Sequence, residues 1–94
     1  MPIQSFGDAE TERFFLSGRT RAPWQQSMSV ALRKLDQLDA AAAIGDLRSP
    51  PGNRLEHLSG KLKGLWSIRI NDQWRVVFRW TDAGPAEVGI VDYH

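Results

Sequence analysis

The sequence contains no cysteine, and this absence excludes a disulfide framework, a thiolate metal site and a cysteine nucleophile. Histidine is almost as scarce, with 2 residues, and neither has neighbours at a spacing typical of metal ligands. No apolar run approaches the roughly 20 residues that cross a bilayer, and the first residues lack the basic and apolar regions of a secretion signal. The composition predicts a single cytoplasmic domain over residues 1–94, without metal, cofactor or membrane anchor.

Net charge is nearly absent as well, since 12 basic and 11 acidic residues give a formal charge of +1. The balance conceals an uneven distribution along the chain. Residues 48–79 contain seven basic and two acidic residues, whereas residues 80–94 contain three acidic residues and no lysine or arginine. The near-neutral total therefore does not exclude a polyanionic partner such as a nucleic acid.

Two helices are predicted in the first half of the chain, after a short edge strand over Ile3–Phe6. Asp8 is a favourable N-cap and Gly18 a favourable stop for the first helix. The second helix begins near Pro23 and runs to about Ala41, because apolar residues recur every three or four positions along it. Those apolar residues are Trp24, Met28, Leu32, Leu35 and Leu38.

Beyond Ser49–Asn53, whose prolines and glycine break the helical pattern, the period of the apolar residues changes to two, which indicates strands. The predicted strands are Trp66–Ile70, Trp74–Trp80 and Ala86–Asp92. A two-residue turn between the first two would mix apolar and charged side chains on one face. A three-residue loop, Asn71–Gln73 with one residue in the left-handed conformation, keeps each face uniform. The expected cross-strand pairs are Ile70 with Trp74, Ile68 with Val76 and Trp66 with Phe78.

These elements predict an α+β fold, with two helices packed on one face of a small, mostly antiparallel sheet in the chain order β-α-α-β-β-β. The opposite face has three arginines at alternate strand positions, Arg69, Arg75 and Arg79. Guanidinium groups arranged in this way suit the phosphates of a polyanion. The same pattern also fits a solvated face whose arginines pair with carboxylates such as Glu87, and the sequence leaves both interpretations open. The stretch that enters the sheet adds Arg54, Lys61 and Lys63.

The segment Asp92-Tyr93-His94 places a carboxylate, a phenol and an imidazole at the end of the last strand. If Val91 lies on the arginine-bearing face, the strand period puts Tyr93 there too. Beside arginines, such groups provide what metal-free RNA cleavage requires: a base for the ribose 2′-OH, a cation for the phosphorane and an acid for the 5′-oxygen. A frayed end without a function is the alternative interpretation.

Three segments, residues 46–56, residues 66–75 and Ile90–His94, together resemble the HigB-type killer toxins of bacterial toxin–antitoxin modules, in particular their GraT-like subgroup. These toxins belong to the RelE/ParE superfamily. The resemblance implies a ribosome-dependent endoribonuclease that cleaves mRNA in the decoding site of the 70S ribosome and inhibits translation. It also implies a HigA-type antitoxin with a helix-turn-helix domain, and contact with operator DNA only through that antitoxin.

The resemblance also assigns roles to individual residues. Arg75 matches a family arginine associated with phosphate stabilisation, and Asp92, Tyr93 and His94 match the family's C-terminal active-site residues. Arg69 falls where contacts to RNA are expected. The other expected contacts to RNA or the ribosome are Arg54, Lys61, Lys63 and Arg79.

The chain departs from the family pattern at the entry to the sheet. Glu56 stands where many relatives have a histidine, and Ser59 stands where they have a lysine. Glu56 can replace the histidine as a carboxylate base, and Lys61 or Lys63 can supply the missing cation. His57 is one position away, which on a strand would point it to the other face, so its role stays open.

Two alternative functions accompany the nuclease hypothesis. The first is a ParE-like protein that poisons DNA gyrase by binding, which Arg75 and the Asp92-Tyr93-His94 ending disfavour. The second is a weakened toxin that acts mainly as an antitoxin partner and co-repressor, which the departures at Glu56 and Ser59 leave open.

Overall fold

The computed structural model describes residues 1–60 and 64–92, which form an α+β fold. Two helices pack on one face of a four-stranded antiparallel sheet, in which the strands lie in chain order. The helices are α1 (Ala9–Ser17) and α2 (Met28–Ala40), and the strands are β1 (Glu56–His57), β2 (Trp66–Arg69), β3 (Trp74–Thr81) and β4 (Gly84–Asp92). The predicted fold class is confirmed. Within the described ranges, no helix is both long and apolar enough to cross a membrane.

Helix α1 begins and ends at the predicted capping residues. The carboxylate of Asp8 accepts a hydrogen bond from the N–H of Thr11 at 2.7 Å, as an N-cap should. Gly18 ends the helix in the left-handed conformation, with φ 74°, and its N–H donates to the carbonyl of Phe14 at 2.7 Å. Glycine adopts this conformation without strain because it has no Cβ. The side chain of Phe14 is fully buried in the core.

The second helix begins later than the sequence predicts. A single 3₁₀ turn, Gln25–Ser27, follows Pro23, and α2 starts only at Met28. The N–H of Ser27 donates to the carbonyl of Trp24 at 2.9 Å, which is the three-residue spacing of a 3₁₀ turn. Of the five apolar residues that predict the inner face, Trp24, Leu35 and Leu38 are buried, while Met28 and Leu32 are half-buried.

The register of β2 and β3 confirms the predicted three-residue loop. Trp66 pairs with Phe78 and Ile68 with Val76, and the N–H of Ile70 donates to the carbonyl of Trp74 at 2.9 Å. The prediction of a left-handed loop residue is wrong, because no residue of the loop has a positive φ. Instead, the Asn71 side-chain oxygen accepts hydrogen bonds from the N–H groups of Gln73 and Trp74, both at 2.8 Å. This side-chain-stabilised turn reverses the chain without backbone strain.

The edge of β4 is lined by the N-terminal segment. The predicted strand over Ile3–Phe6 is reduced to a single bridge, in which Phe6 lies parallel to Val88. The N–H of Gln4 donates to the carbonyl of Pro85 at 2.7 Å, so the extended segment still satisfies part of the strand edge.

Strand β4 begins at Gly84, two residues before the predicted Ala86, because Asp82 and Ala83 alone form the turn. The hydroxyl of Thr81 donates to the carbonyl of Gly84 at 2.6 Å across that turn. The shorter turn leaves the inner face of the strand as predicted, with Val88 and Ile90 buried.

One core fills the space between the helices and the inner sheet face. Its fully buried side chains include Phe14, Leu35, Leu38, Ile68, Val76, Phe78 and Val88. The opposite sheet face, which carries Arg69, Arg75 and Arg79, is called the arginine face below. Its centre is buried too, because Ser67, Arg75 and Val77 are each less than 9% exposed.

Candidate active site on the arginine face

Arg75 is the most enclosed of the three arginines on the arginine face. It lies in β3, between Arg69 of β2 and Val91 of β4, and is only 8% exposed. Its Nη2 donates a hydrogen bond to the carbonyl of Arg54 at 2.6 Å. Its Nη1 lies 3.8 Å from Oε2 of Glu56. The guanidinium is therefore held in one orientation between a carbonyl and a carboxylate.

Glu56 reaches the same site from the edge strand β1. It pairs with Ser67 of β2, and directly opposed residues share a face, so the Glu56 side chain lies on the arginine face. About half of that side chain, 48%, is exposed to solvent. A carboxylate in this position can accept a proton from a hydroxyl group of a molecule bound beside Arg75.

Arg54 contributes its main chain to the site. Its φ is 47°, in the left-handed region that residues with a Cβ rarely adopt. Its N–H donates to the carbonyl of Pro51 at 3.1 Å, at the end of the 3₁₀ turn Pro51–Asn53, and its carbonyl faces Arg75. The Arg54 side chain is exposed, so it remains accessible to an anion approaching the arginine face.

Arg69 and Arg79 flank Arg75, and each contacts a carboxylate. Arg69 forms an ion pair with Asp72 in the loop that follows β2. The Nε of Arg79 lies 2.6 Å from Oε2 of Glu87, the partner that the solvated-face interpretation predicts. Both side chains are partly open to solvent, with exposures of 29% and 47%. The three arginines share one face, as predicted, but only the outer two are accessible.

Asp92 lies on the other side of the sheet from Arg75. It opposes Trp74 in the β3–β4 register, so its side chain lies on the inner face of the sheet, whereas Val91 opposes Arg75. The exposed carboxylate of Asp92 accepts a hydrogen bond from Nε2 of Gln73 at 3.0 Å. The structure thus confirms that Val91 lies on the arginine face.

His57 also lies apart from Arg75, as its one-residue offset from Glu56 predicts. Its ring stacks on that of Trp66, with centroids 4.2 Å apart and planes 8° from parallel. The structure therefore brings Glu56, Arg75 and the Arg54 carbonyl together and leaves His57 outside. Four predicted site residues lie outside the described ranges: Lys61, Lys63, Tyr93 and His94. In residues 1–60 and 64–92, no cluster of three or more histidine or carboxylate side chains could hold a metal ion.

A buried polar cluster that the sequence does not predict lies beside the site. Lys34 of α2 is 5% exposed, and its Nζ donates a hydrogen bond to the side-chain oxygen of Asn53, which is fully buried. The pKa of Lys34 is lowered from its ordinary value of 10.5, chiefly because burial penalises the charged form and further because Arg33 and Arg69 are positive. Lys34 follows Ala31 by three residues and precedes Leu38 by four, which is the one sequence signal that it lies on the inner face.

Because Lys34 is buried, we expect the free energy of unfolding to depend on pH in the alkaline range. Because the pKa of Lys34 is lower in the folded chain than its ordinary value of 10.5, the unfolded chain binds more protons between those two values. We expect the free energy of unfolding to rise with pH across that window, relative to a Lys34→Met variant measured in parallel. Urea unfolding of both proteins at several alkaline pH values checks this, and a pH-independent difference would contradict it.

Comparisons with known proteins identify the family of this chain. A family model described as the RelE-like toxin of the type II toxin–antitoxin system HigB matches residues 4–94. Toxin HigB-1 of Vibrio cholerae serotype O1 is 50% identical over 78 residues, which cover 82% of this chain and 82% of that protein. A protein named Endoribonuclease HigB from Proteus vulgaris is 28% identical over 92 residues, covering 98% of this chain and 99% of its own.

Two solved structures share the fold at low sequence identity. A YoeB/ParE toxin from Agrobacterium tumefaciens superposes with a TM-score of 0.58 at 19% identity, and the match covers 100% of both chains. A YoeB–YefM complex from Staphylococcus aureus gives a TM-score of 0.56 at 17% identity, covering 100% of this chain and 99% of the other. The match of the family model over nearly the whole chain and the identity to HigB-1 show that this chain belongs to the HigB-like toxins of type II toxin–antitoxin systems.

Proposed function

We propose that this toxin is an endoribonuclease that cleaves mRNA on the ribosome, through attack of a ribose 2′-OH on the adjacent phosphate without a metal ion. The observation that carries the proposal is the fixed Arg75 guanidinium, 3.8 Å from the solvent-accessible carboxylate of Glu56. A cation and a base side by side are two of the three groups that this reaction needs. The relative from Proteus vulgaris carries the name endoribonuclease, which supports the same class of activity.

In the proposed reaction each group has one task. Glu56 accepts the 2′-OH proton as the 2′-oxygen bonds to phosphorus, and Arg75 stabilises the charge on the phosphorane oxygens. The bond between phosphorus and the 5′-oxygen then breaks, and an acid donates a proton to that oxygen. We assign the acid to the C-terminal residues Tyr93 and His94, with His94 as the donor because imidazole titrates near neutral pH. Asp92, which lies on the other side of the sheet from Arg75, takes no part in this step.

The flanking cations are proposed to hold the RNA. Arg69 and Arg79 stand on either side of Arg75 and would exchange their carboxylate partners, Asp72 and Glu87, for backbone phosphates. The exposed Arg54 side chain, with Lys61 and Lys63, would extend the contact to ribosomal or messenger RNA. Contacts of this kind weaken as salt is added, because each phosphate bound releases counterions.

The proposal is tested by expressing the toxin without an antitoxin and mapping mRNA 5′ ends, together with purified toxin acting on naked and on translated mRNA. We expect cuts in phase with codons that require translation and that disappear in the His94→Ala variant. Growth arrest with intact mRNA and altered DNA supercoiling would contradict the nuclease and support a ParE-like action on gyrase. Intact mRNA without growth arrest would support a weakened toxin that acts as a co-repressor.

We propose a HigA-type helix-turn-helix antitoxin as the protein partner, with operator DNA bound only through it. The Staphylococcus aureus neighbour was solved as a YoeB–YefM complex, which supports a toxin of this fold pairing with a second protein. Among the described residues, the proposed RNA contacts Arg54, Arg69 and Arg79 lie on or beside the arginine face, so the helical side is left for that partner. A cytoplasmic location follows from the proposed action on ribosomes.

A further inference from the structure

Two polar contacts, joined by the chain from Asn53 to Arg54, connect the middle of α2 to the Arg75 guanidinium. In the first, the Lys34 Nζ donates to the side-chain oxygen of Asn53. Neither residue touches solvent appreciably, with exposures of 5% and 0%. A buried amide and a buried ammonium are costly unless their hydrogen bonds are made, so both constrain the groups around them.

The Asn53 amide nitrogen ties down the segment that precedes Arg54. It donates to the carbonyls of Leu47 and Ser49 at 3.1 and 3.3 Å, and to the side-chain oxygen of Gln37 at 3.1 Å. Gln37 in turn donates to the Ser49 carbonyl at 2.5 Å. Helix α2 therefore holds this loop through two side chains of its own, Lys34 and Gln37.

The restrained segment ends at the residue that orients Arg75. Asn53 is immediately followed by Arg54, which has the unusual φ of 47° and presents its carbonyl to Arg75 at 2.6 Å. A left-handed residue with a Cβ is strained and persists only when its surroundings impose it. The buried hydrogen bonds of Asn53, together with the bond from the Arg54 N–H to the Pro51 carbonyl, are adjacent contacts that can impose it.

We propose that Lys34 and Asn53 are positioning residues, which hold the Arg54 carbonyl where it fixes the Arg75 guanidinium for phosphate stabilisation. The lowered pKa of Lys34 agrees with a lysine that is kept buried for its hydrogen bond rather than for its charge. The role in catalysis rests on the proposed nuclease function, whereas the effect on the Arg75 guanidinium does not.

The experiment therefore has two readouts. The first is the ¹H–¹⁵N NMR signal of the Arg75 guanidinium, whose restricted rotation reports the contact with the Arg54 carbonyl in the free toxin. The second is cleavage of translated mRNA, with kcat and KM determined separately. In Lys34→Met and Asn53→Ala, we expect faster guanidinium rotation and a kcat lowered by up to about 100-fold, with KM little changed.

Lys34→Met should remain folded, because a buried cation is replaced by an apolar chain of similar length. Asp8→Ala is the stability control, since it removes the α1 cap, whose side-chain hydrogen bonds go to Thr11 and not to the Lys34, Asn53 or Arg54 contacts, and it should leave both readouts unchanged. Arg54→Asn is the control for the carbonyl, since it keeps the main-chain group and tolerates a positive φ, so the Arg75 signal should persist.

The outcomes separate the positioning role from a general loss of stability and from the nuclease function. An Arg75 signal that is unchanged in folded Lys34→Met and Asn53→Ala overturns the proposal. A kcat that falls equally in Asp8→Ala would also overturn it, because general loss of stability would then explain the effect. A changed Arg75 signal in a protein whose wild type cleaves no RNA would keep the positioning role and reject the nuclease function.

Discussion

Replacement of Arg75 by alanine is expected to lower the rate of mRNA cleavage about 10²- to 10³-fold, the usual cost of removing one preorganised donor to a developing oxyanion. The reason is the fixed geometry of Arg75, which is 8% exposed and bound to the Arg54 carbonyl at 2.6 Å. A donor already oriented before the substrate arrives stabilises charge without reorganising. Single-turnover cleavage of translated mRNA measures the loss.

The controls separate catalysis from folding and from general charge. Removing Arg75 leaves Glu56 half exposed rather than buried and unpaired, so we expect the variant to fold and to bind its antitoxin. Arg75→Lys keeps the charge but loses the planar pair of donors, and should recover little activity. Arg79 lies on the same strand and face, but its side chain is more exposed, so Arg79→Ala should lower the cleavage rate less than Arg75→Ala. Loss of folding or of antitoxin binding in Arg75→Ala would instead make Arg75 structural.

The sheet register could be predicted because several local signals agree on it. Only a three-residue loop places Ile68 against Val76 and Trp66 against Phe78, and one face of each strand is strongly apolar. The loop conformation could not be predicted in the same way. A turn closed by the Asn71 side chain and a turn with a left-handed residue satisfy the same register, so the pattern of apolar residues does not distinguish them.

The candidate site could be predicted only where strand alternation decides the answer. Alternation correctly separates Glu56 from His57 and places Val91 on the arginine face. It does not reveal depth, so the enclosure of Arg75 and its contact with the Arg54 carbonyl appear only in the structure.

The Lys34–Asn53 contact could not be predicted from the sequence for a related reason. A lysine within an amphipathic helix is typical of its solvated face, because ammonium groups are rarely buried. Its acceptor, Asn53, lies 19 residues away in a proline- and glycine-containing stretch that indicates only a loop. Long-range polar contacts between such segments leave no periodic pattern in the chain.

The second large effect is expected at Glu56. If this carboxylate is the base, Glu56→Gln should lower the cleavage rate about 10²- to 10⁴-fold, because an amide has nearly the same shape but does not accept the 2′-OH proton. Substrate binding should change little, since the glutamine keeps the position of Glu56 on β1, opposite Ser67. Single-turnover rates at saturating substrate measure the chemical step directly.

Two substitutions make this test specific to the family departure at the sheet entry. Glu56→His installs the residue that many relatives have at this position, on the same strand face, and should retain or raise the cleavage rate because imidazole is also a competent base. His57→Ala removes the neighbouring imidazole, which stacks on Trp66 of the opposite face, and should leave the rate within a few-fold of wild type. If His57→Ala abolishes cleavage while Glu56→Gln does not, the base is not Glu56. The His57 ring must then leave Trp66, on which it stacks, to act as the base.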